Sequence, residues 1–286
     1  MPSASVRFYG ALNDFLPAAY RQATLVSRFD RGTSIKDLVE ALGVPHPEIH
    51  WLVVNGQPVG FGYLVRDGDR VAAYPPFRAP ELADTVGLGP PPQANPRFVA
   101  DVHLGRLAAY LRLAGFDTTY RNDVADHELV TISVDEDRTL LTRDVGALKH
   151  GAVRRGCFVR ETQPARQFVE VLRRFDLVGA AAPFTRCLRC NDRLRAVAKD
   201  LVEHLLPERT RGLYGDYSRC PACSRIYWRG SHHSRMSLFL ESAFAATVLP
   251  SASLSRPAEV VYNLPHRLAS RIERHQPARV PREKRP

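Results

Sequence analysis

A length of 286 residues allows two domains, or one domain with appendages, and 44% hydrophobic residues suffice for a core. No apolar run reaches the roughly 18 residues that a membrane span needs, and residues 1–6 hold no basic stretch leading into a hydrophobic one, so the chain reads as globular and cytoplasmic. Residues 1–180 are balanced in charge and the whole excess of +10 falls on 181–286, which suits either a polyanion-binding end or a solubilising basic tail.

Residues 1–78 read as an α+β unit. Strand-like runs occupy 6–9 and 25–29. Ser34-Ile35-Lys36-Asp37 has the form of a capping box and opens a helix that carries Ile35, Leu38, Val39 and Leu42 on one face. A run at 51–54 meets Asn55-Gly56, the favoured two-residue hairpin turn, and 71–74 follows Asp67-Gly68-Asp69 as a last strand. This β-β-α-β-β order resembles the β-grasp (ubiquitin-like) fold of small sulfur-carrier proteins. Those carriers end in a free Gly-Gly tail. Here the chain continues through Tyr74-Pro75-Pro76-Phe77, so the unit reads as a binding or scaffolding module with a protein as its partner.

Residues 79–96, with Gly87-Leu88-Gly89-Pro90-Pro91-Pro92, form a linker. Over 97–180 strands and helices alternate, which implies a mostly parallel sheet covered on both faces. Phe98-Val99-Ala100 ends on Asp101, and Leu104, Leu107, Ala108 and Leu111 follow at helical spacing as far as Gly115. A second strand at 116–120, a helix from Asp126, a strand at 139–142 closing on Arg143-Asp144, a strand at 157–159 and a helix from about 163 to 176 complete the unit. Cys157 reads as a buried apolar residue.

Acids at the carboxyl ends of parallel strands stand where such sheets bind ligands. Asp101 and Asp144 share one sheet edge, and Asp126 opens a helix bordering it. Three carboxylates without an evident cation suit Mg²⁺ or Mn²⁺, hard ions that activate water and offset charge on a phosphate. Plain structural roles are also open: Asp126 as a helix cap, with Asp123 replacing it as ligand, and Asp144 as the start of a turn, while Asp101 is the least easily dismissed of the three. Asp135, Glu136 and Asp137 read as a solvated acidic turn, and His103 and His127 as ordinary surface or core residues. Arg106, Arg112 and Arg143 flank the acids, as contacts for a substrate phosphate or as internal ion pairs.

Residues 181–236 contain Cys187-x-x-Cys190 and Cys220-x-x-Cys223. Two such pairs in a cytosolic chain specify a four-thiolate zinc site in preference to redox dithiols. Beyond Met236 one short helix is expected, and from about residue 255 Pro, Ser and Arg mark a disordered basic tail within the extension 237–286.

Phe98-Val99-Ala100-Asp101, Leu104-Gly105-Arg106-Leu107-Ala108, Leu111-Arg112-Leu113-Ala114-Gly115-Phe116, Leu140-Leu141-Thr142-Arg143-Asp144, the two cysteine pairs and Tyr227-Trp228-Arg229-Gly230-Ser231-His232 together resemble the bacterial and archaeal RNase family named after the C-terminal domain of a nematode mutator exonuclease. Fused β-grasp modules occur in that family. The resemblance implies a PIN-like nuclease fold with an appended zinc ribbon, RNA as substrate, and Asp101, Asp126 and Asp144 as the acids that bind Mg²⁺ or Mn²⁺. His127 stands where an acid is common in such sequences. The ribbon would turn Arg229 or His232 toward RNA, unless Trp228 merely packs at its end. A metal-dependent ribonuclease is therefore expected. The competing readings are a non-catalytic RNA-binding or ribosome-associated adaptor with vestigial acids, and a toxin-like or processing factor whose β-grasp module recruits a protein partner.

Overall fold

The computed structural model describes residues 1–76 and 88–248, apart from the side chain of Arg209. The first half of the linker, residues 79–87, and the basic tail lie outside those residues.

In the N-terminal unit, β1 (Ser3–Phe8), β2 (Thr24–Arg28), α1 (Ile35–Ala41), β3 (Trp51–Val54), β4 (Gln57–Pro58) and β5 (Arg70–Tyr74) form a sheet of order β2-β1-β5-β3-β4. Its central β1·β5 pair is parallel. Ala4, Val6 and Phe8 alternate inward along β1, as period-two pleating requires, and pack with Ile35, Leu38 and Val39 of α1. Ser34 caps α1: its Oγ accepts from the Asp37 N–H at 3.1 Å and donates to the Asp37 carboxylate at 2.7 Å. Asn55 and Gly56 both take positive φ, 52° and 86°, as a primed hairpin turn needs, and lead into β4. That strand is only two exposed residues long, too short to leave an alternating pattern in the sequence.

The second unit runs β6 (Arg97–Ala100), α2 (Gly105–Leu113), β7 (Asp117–Tyr120), α3 (Asp126–Asp135), β8 (Thr139–Thr142), α4 (Val145–Leu148), β9 (Gly156–Phe158), α5 (Pro164–Phe175). The sheet is parallel throughout, in the order β7-β6-β8-β9. Phe98, Ala100, Leu141 and Cys157 face α2 and α5, whereas Val99 and Leu140 face α3 and α4, so both faces are covered. The first crossover carries the chain from β6 to one side and the second returns it to the other. The carboxyl ends of β6 and β8 therefore flank a topological switch point, where ligands enter open parallel sheets.

Gly115 ends α2 with φ +96°, and a Cβ there would stand 2.1 Å from the Ala182 carbonyl oxygen. Gly115→Ala is expected to cost about 2 kcal/mol, read as a lowered urea midpoint with an unchanged slope.

The third sheet is small and antiparallel: β10 (Arg195–Val197), β11 (Tyr217–Arg219) and β12 (Ile226–Trp228), with the single turn α6 (Glu208–Arg211) before β11. Helix α7 (Ser231–Val248) follows without a break at residue 236 and is longer than the short helix expected there. It returns to the second unit. Leu240 and Ala243 are buried in the α2–α5 core, and the Phe239 ring lies 4.5 Å from Tyr110 and 5.8 Å from Phe168. The Ser231-to-Met236 stretch is polar, which hides the helix in the sequence; its partners on α2 and α5 supply the stability.

The acidic turn after α3 is paired as well as solvated. Glu136 meets Arg97 and Arg138, and Asp137 meets Arg155 and Gln93.

The N-terminal unit is docked on the second. Glu48, fully buried, accepts from the Phe158 N–H at 2.7 Å and pairs with Arg160 at 2.9 Å and Arg174 at 3.6 Å. His46 Nδ1 contacts Glu40 Oε1 at 2.6 Å and its Nε2 contacts the Val153 carbonyl at 2.8 Å. Among the described residues no helix is long and apolar enough to cross a membrane.

Candidate functional site

Asp101 is the first residue past β6 and is only 4% exposed. Its N–H donates to the Leu141 carbonyl at 3.0 Å, prolonging the ladder between β6 and β8. One carboxylate oxygen accepts from the His103 N–H at 2.8 Å; the other accepts from Thr142 Oγ1 at 2.5 Å and from the Arg143 N–H at 3.0 Å. Thr142 Oγ1 accepts in turn from the Asp144 N–H at 2.9 Å. One network thus joins the ends of β6 and β8 across the switch point. Thr142 is a site residue whose only mark in the sequence is its place as the threonine closing the strand before Arg143-Asp144.

Asp144 is exposed and caps α4, accepting from the Gly146 N–H at 2.7 Å through Oδ1. Its Oδ2 accepts no hydrogen bond among the described residues. Asp126 is exposed at the first position of α3, at the same end of the sheet because β7 has just ended. The cap there is formed by Glu128 accepting from the Ala125 N–H at 3.3 Å, so Asp126 is left free of that task. Asp123 is exposed and paired with Arg121 at 3.2 Å. The three acids do not bring their oxygens within 4.8 Å of one another as a group; among the described residues only the four cysteines cluster so closely. The His103 ring, 77% exposed, reaches Asp101 at 3.4 Å, a neighbour that its place two residues on makes intelligible.

The arginines divide. Arg106 is exposed in the first turn of α2 with no ion pair among the described residues. Arg143 instead donates to the carbonyls of Val159, Arg160 and Glu161 at 2.8, 2.9 and 2.6 Å, which ties down the loop after β9; it makes neither a phosphate-ready projection nor an ion pair with the acids. Arg112 is buried near the far end of α2. It donates to the carbonyls of Thr118, Leu188 and Arg189, so it braces the first cysteine knuckle and is remote from Asp101.

The two knuckles share one backbone design. The Cys187 N–H donates to the Asp192 carbonyl and the Cys187 carbonyl accepts from Asn191; the Cys220 N–H donates to Arg225 and its carbonyl accepts from Ser224, all at 2.8–3.0 Å. Asn191 and Ser224, each just past the second cysteine, take positive φ of 72° and 56°. The sulfurs of Cys187 and Cys223 lie 3.5 Å apart and those of Cys190 and Cys220 3.3 Å apart. A tetrahedral zinc at about 2.3 Å from each thiolate separates its sulfurs by about 3.8 Å, so the cluster has the size and chemistry for zinc. Burial pushes the Cys187 thiol up, but hydrogen bonds from the Tyr227 hydroxyl and from the backbone at Cys190 and Arg189 more than offset it and bring the group to about 7. Elemental analysis of the purified chain is expected to find about one zinc, and Cys187→Ser to lose most of it.

Asn191 also accepts from the Thr118 N–H and donates to Asp117, and Arg186 reaches the Gly115 carbonyl and Asp117. These contacts seat the cysteine cluster at the amino end of the parallel sheet, opposite Asp101 and Asp144. Arg229 and His232, both exposed, follow β12 on this far side.

The profile of the Mut7-C RNAse domain matches residues 96–240, just over half of the chain, and that of the Mut7-C ubiquitin domain matches residues 1–81. The chain belongs to the Mut7-C RNase family. This Mut7-C RNase is accordingly a ribonuclease with a ubiquitin-like N-terminal module, and RNA is its substrate class. Two crystal structures of small archaeal modifier protein 1 from Haloferax volcanii are similar to the module of this Mut7-C RNase. They are 20% and 21% identical, each covers 27% of this chain with 100% and 98% of its own length aligned, and the TM-scores are 0.23 and 0.22. No curated protein matches.

Proposed function

We propose that this Mut7-C RNase hydrolyses RNA phosphodiester bonds at the carboxyl edge of its parallel sheet, with Asp101, Asp144 and Asp126 as ligands for Mg²⁺ or Mn²⁺. The observation that carries the reading is the Asp101–Thr142–Asp144 network spanning the switch point. An oxygen-only donor set suits these hard ions, and Asp144 Oδ2 and Asp126 keep free lone pairs for them. When bound, the metal would activate water and offset the charge that grows on the phosphate. The chain's own part is positional: three donors hold the buried Asp101 carboxylate in one orientation, and Arg106 offers an exposed guanidinium to the RNA backbone.

In this reading residues 97–180 together with α7 form the nuclease body, 181–236 the zinc ribbon, and 1–78 a brace joined by the 79–96 linker. The brace role rests on the buried Glu48 contact and on a chain that runs past Tyr74 instead of ending there. Its outer sheet face is the surface we assign to a protein partner, and the cysteine-rich ribbon suits the reducing cytoplasm.

Incubating full-length protein with labelled single-stranded RNA tests the assignment. Cleavage is expected with Mn²⁺ or Mg²⁺ and not in their absence. Binding without cleavage under both ions would replace the enzyme by a non-catalytic RNA-binding adaptor.

A further inference from the structure

A cleft of about 990 Å³ lies between the ribbon sheet and the start of α7, far from the acids. Phe184 lines it, and its N–H donates to the Leu113 carbonyl at the end of α2. The His233 ring stacks on Phe184, with centroids 4.0 Å apart and planes 23° from parallel. Burial and the neighbouring Arg229 lower the pKa of His233, so this is a neutral pair of aromatic faces near pH 7. Trp228 also lines the cleft and packs against the cluster of Val202, Leu206 and Tyr217. It is half-buried, and its indole N–H makes no hydrogen bond among the described residues.

The charge around these rings has one sign in excess. Residues 181–249 carry 11 basic against 6 acidic side chains. Arg229, beside Trp228, is exposed with no ion pair among the described residues, and Asp216 is the one acid lining the cleft. Arg186 also lines it, with donors already given to Gly115, Asn191 and Asp117. Aromatic faces beside unpaired guanidinium charge are what unpaired nucleotides need: the rings stack on bases of any sequence and the cation meets the backbone. A volume near 1,000 Å³ lies at the upper end of roughly 300–1,000 Å³ for ligand pockets, more than one small ring requires.

We propose that this cleft is an exosite for unpaired RNA, in which bases stack on Trp228 and on the Phe184–His233 pair while Arg229 holds the phosphodiester backbone. The proposal rests on RNA being the substrate, and it goes beyond the cleavage site in place and chemistry. Helix α2 separates the two. Its nine residues span about 13 Å at 1.5 Å per residue, or about four stacked nucleotides at 3.4 Å each. RNA shorter than that cannot occupy the cleft and the acid edge together, so the exosite favours longer strands with an unpaired segment.

The test uses full-length protein carrying Trp51→Phe, which leaves Trp228 as the only tryptophan, with no added Mg²⁺ or Mn²⁺. A 12-nucleotide oligouridylate is expected to quench Trp228 fluorescence saturably and less strongly as salt rises, whereas a blunt 12-base-pair RNA duplex leaves it unchanged. Arg229→Glu, at an exposed position that does not endanger folding, is expected to weaken binding by about tenfold with zinc content retained. His233→Ala should do the same. Binding of the oligouridylate seen by anisotropy without quenching, equal quenching by the duplex, or an unaltered Kd for Arg229→Glu would each overturn the exosite. None of these readouts needs cleavage. An inactive protein that still quenches would sink the Asp101 reading alone, and an active one that never quenches would sink only the exosite.

Discussion

Asp101→Asn should lower the rate of RNA cleavage by at least about a hundredfold, the scale on which loss of one charged group at a phosphoryl centre is felt. The substitution preserves volume but not the donor–acceptor match. Asp101 accepts on both oxygens, from His103 on one side and from Thr142 and Arg143 on the other. An amide must turn its NH₂ toward one of these donor groups, which should cost about 1–3 kcal/mol of stability. Activity should fall far more than that loss explains, because the protein stays folded while the buried negative charge is gone. Asp144→Asn should cut the rate comparably with less effect on stability, since Asp144 is exposed and only caps α4. Initial rates across a Mn²⁺ titration, with thermal melts in parallel, make the comparison. If Asp101→Asn cleaves within about threefold of the parent, Asp101 is only the cap of the turn that follows it.

Glu48→Ala should destabilise the whole chain by about 3–5 kcal/mol, as removal of one partner from a buried ion pair typically does. Three donors converge on this one carboxylate: the Phe158 N–H, Arg160 and Arg174. Without it, Arg174 loses this partner, Arg160 keeps only the more exposed Asp14 at 3.0 Å as a counter-charge, and a part-buried N–H loses its acceptor. Glu48→Gln keeps an acceptor for one donor and should cost less. The damage should also reach catalysis. Arg160 begins the loop whose carbonyls hold the Arg143 side chain, and the Arg143 N–H holds Asp101. A fall in cleavage rate larger than the unfolded fraction accounts for is therefore expected at a temperature where Glu48→Ala is mostly folded. Urea denaturation reads the first effect; a loss below about 1 kcal/mol would mean that the ion pair contributes no more than a surface one.

Much of the molecule was legible because its signals are local. A strand that ends on an acid before an amphipathic helix fixes where Asp101 lies, since pleat and helix periods are set by neighbours a few residues apart. The capping box at Ser34, the Asn55-Gly56 turn and the two cysteine pairs are read in the same way, each within four residues. Cys157, placed in a strand of the parallel sheet, is buried there as its apolar neighbours imply, and burial pushes its thiol up to about 12.

The arginines resisted such reading. Nothing in the vicinity of Arg112 or Arg143 says that one will hold a knuckle 76 residues away and the other a loop after β9, because a guanidinium serves any carbonyl that the fold brings to it. Glu48 carries no local mark of its burial for the same reason. Its partners are more than 100 residues distant, and no periodicity carries that information.

Two matters of arrangement were decided only in three dimensions. One is that α7 closes the nuclease core, through contacts between rings on three helices. The other is that the ribbon docks at the end of the sheet away from the acids. The sequence already contained both centres, the carboxylates at the strand ends and the four thiolates, because each rests on residue type and short spacing. The distance and direction between them follow from packing and from hydrogen bonds such as those of Arg112 and Asn191, which form once elements far apart in the chain have met.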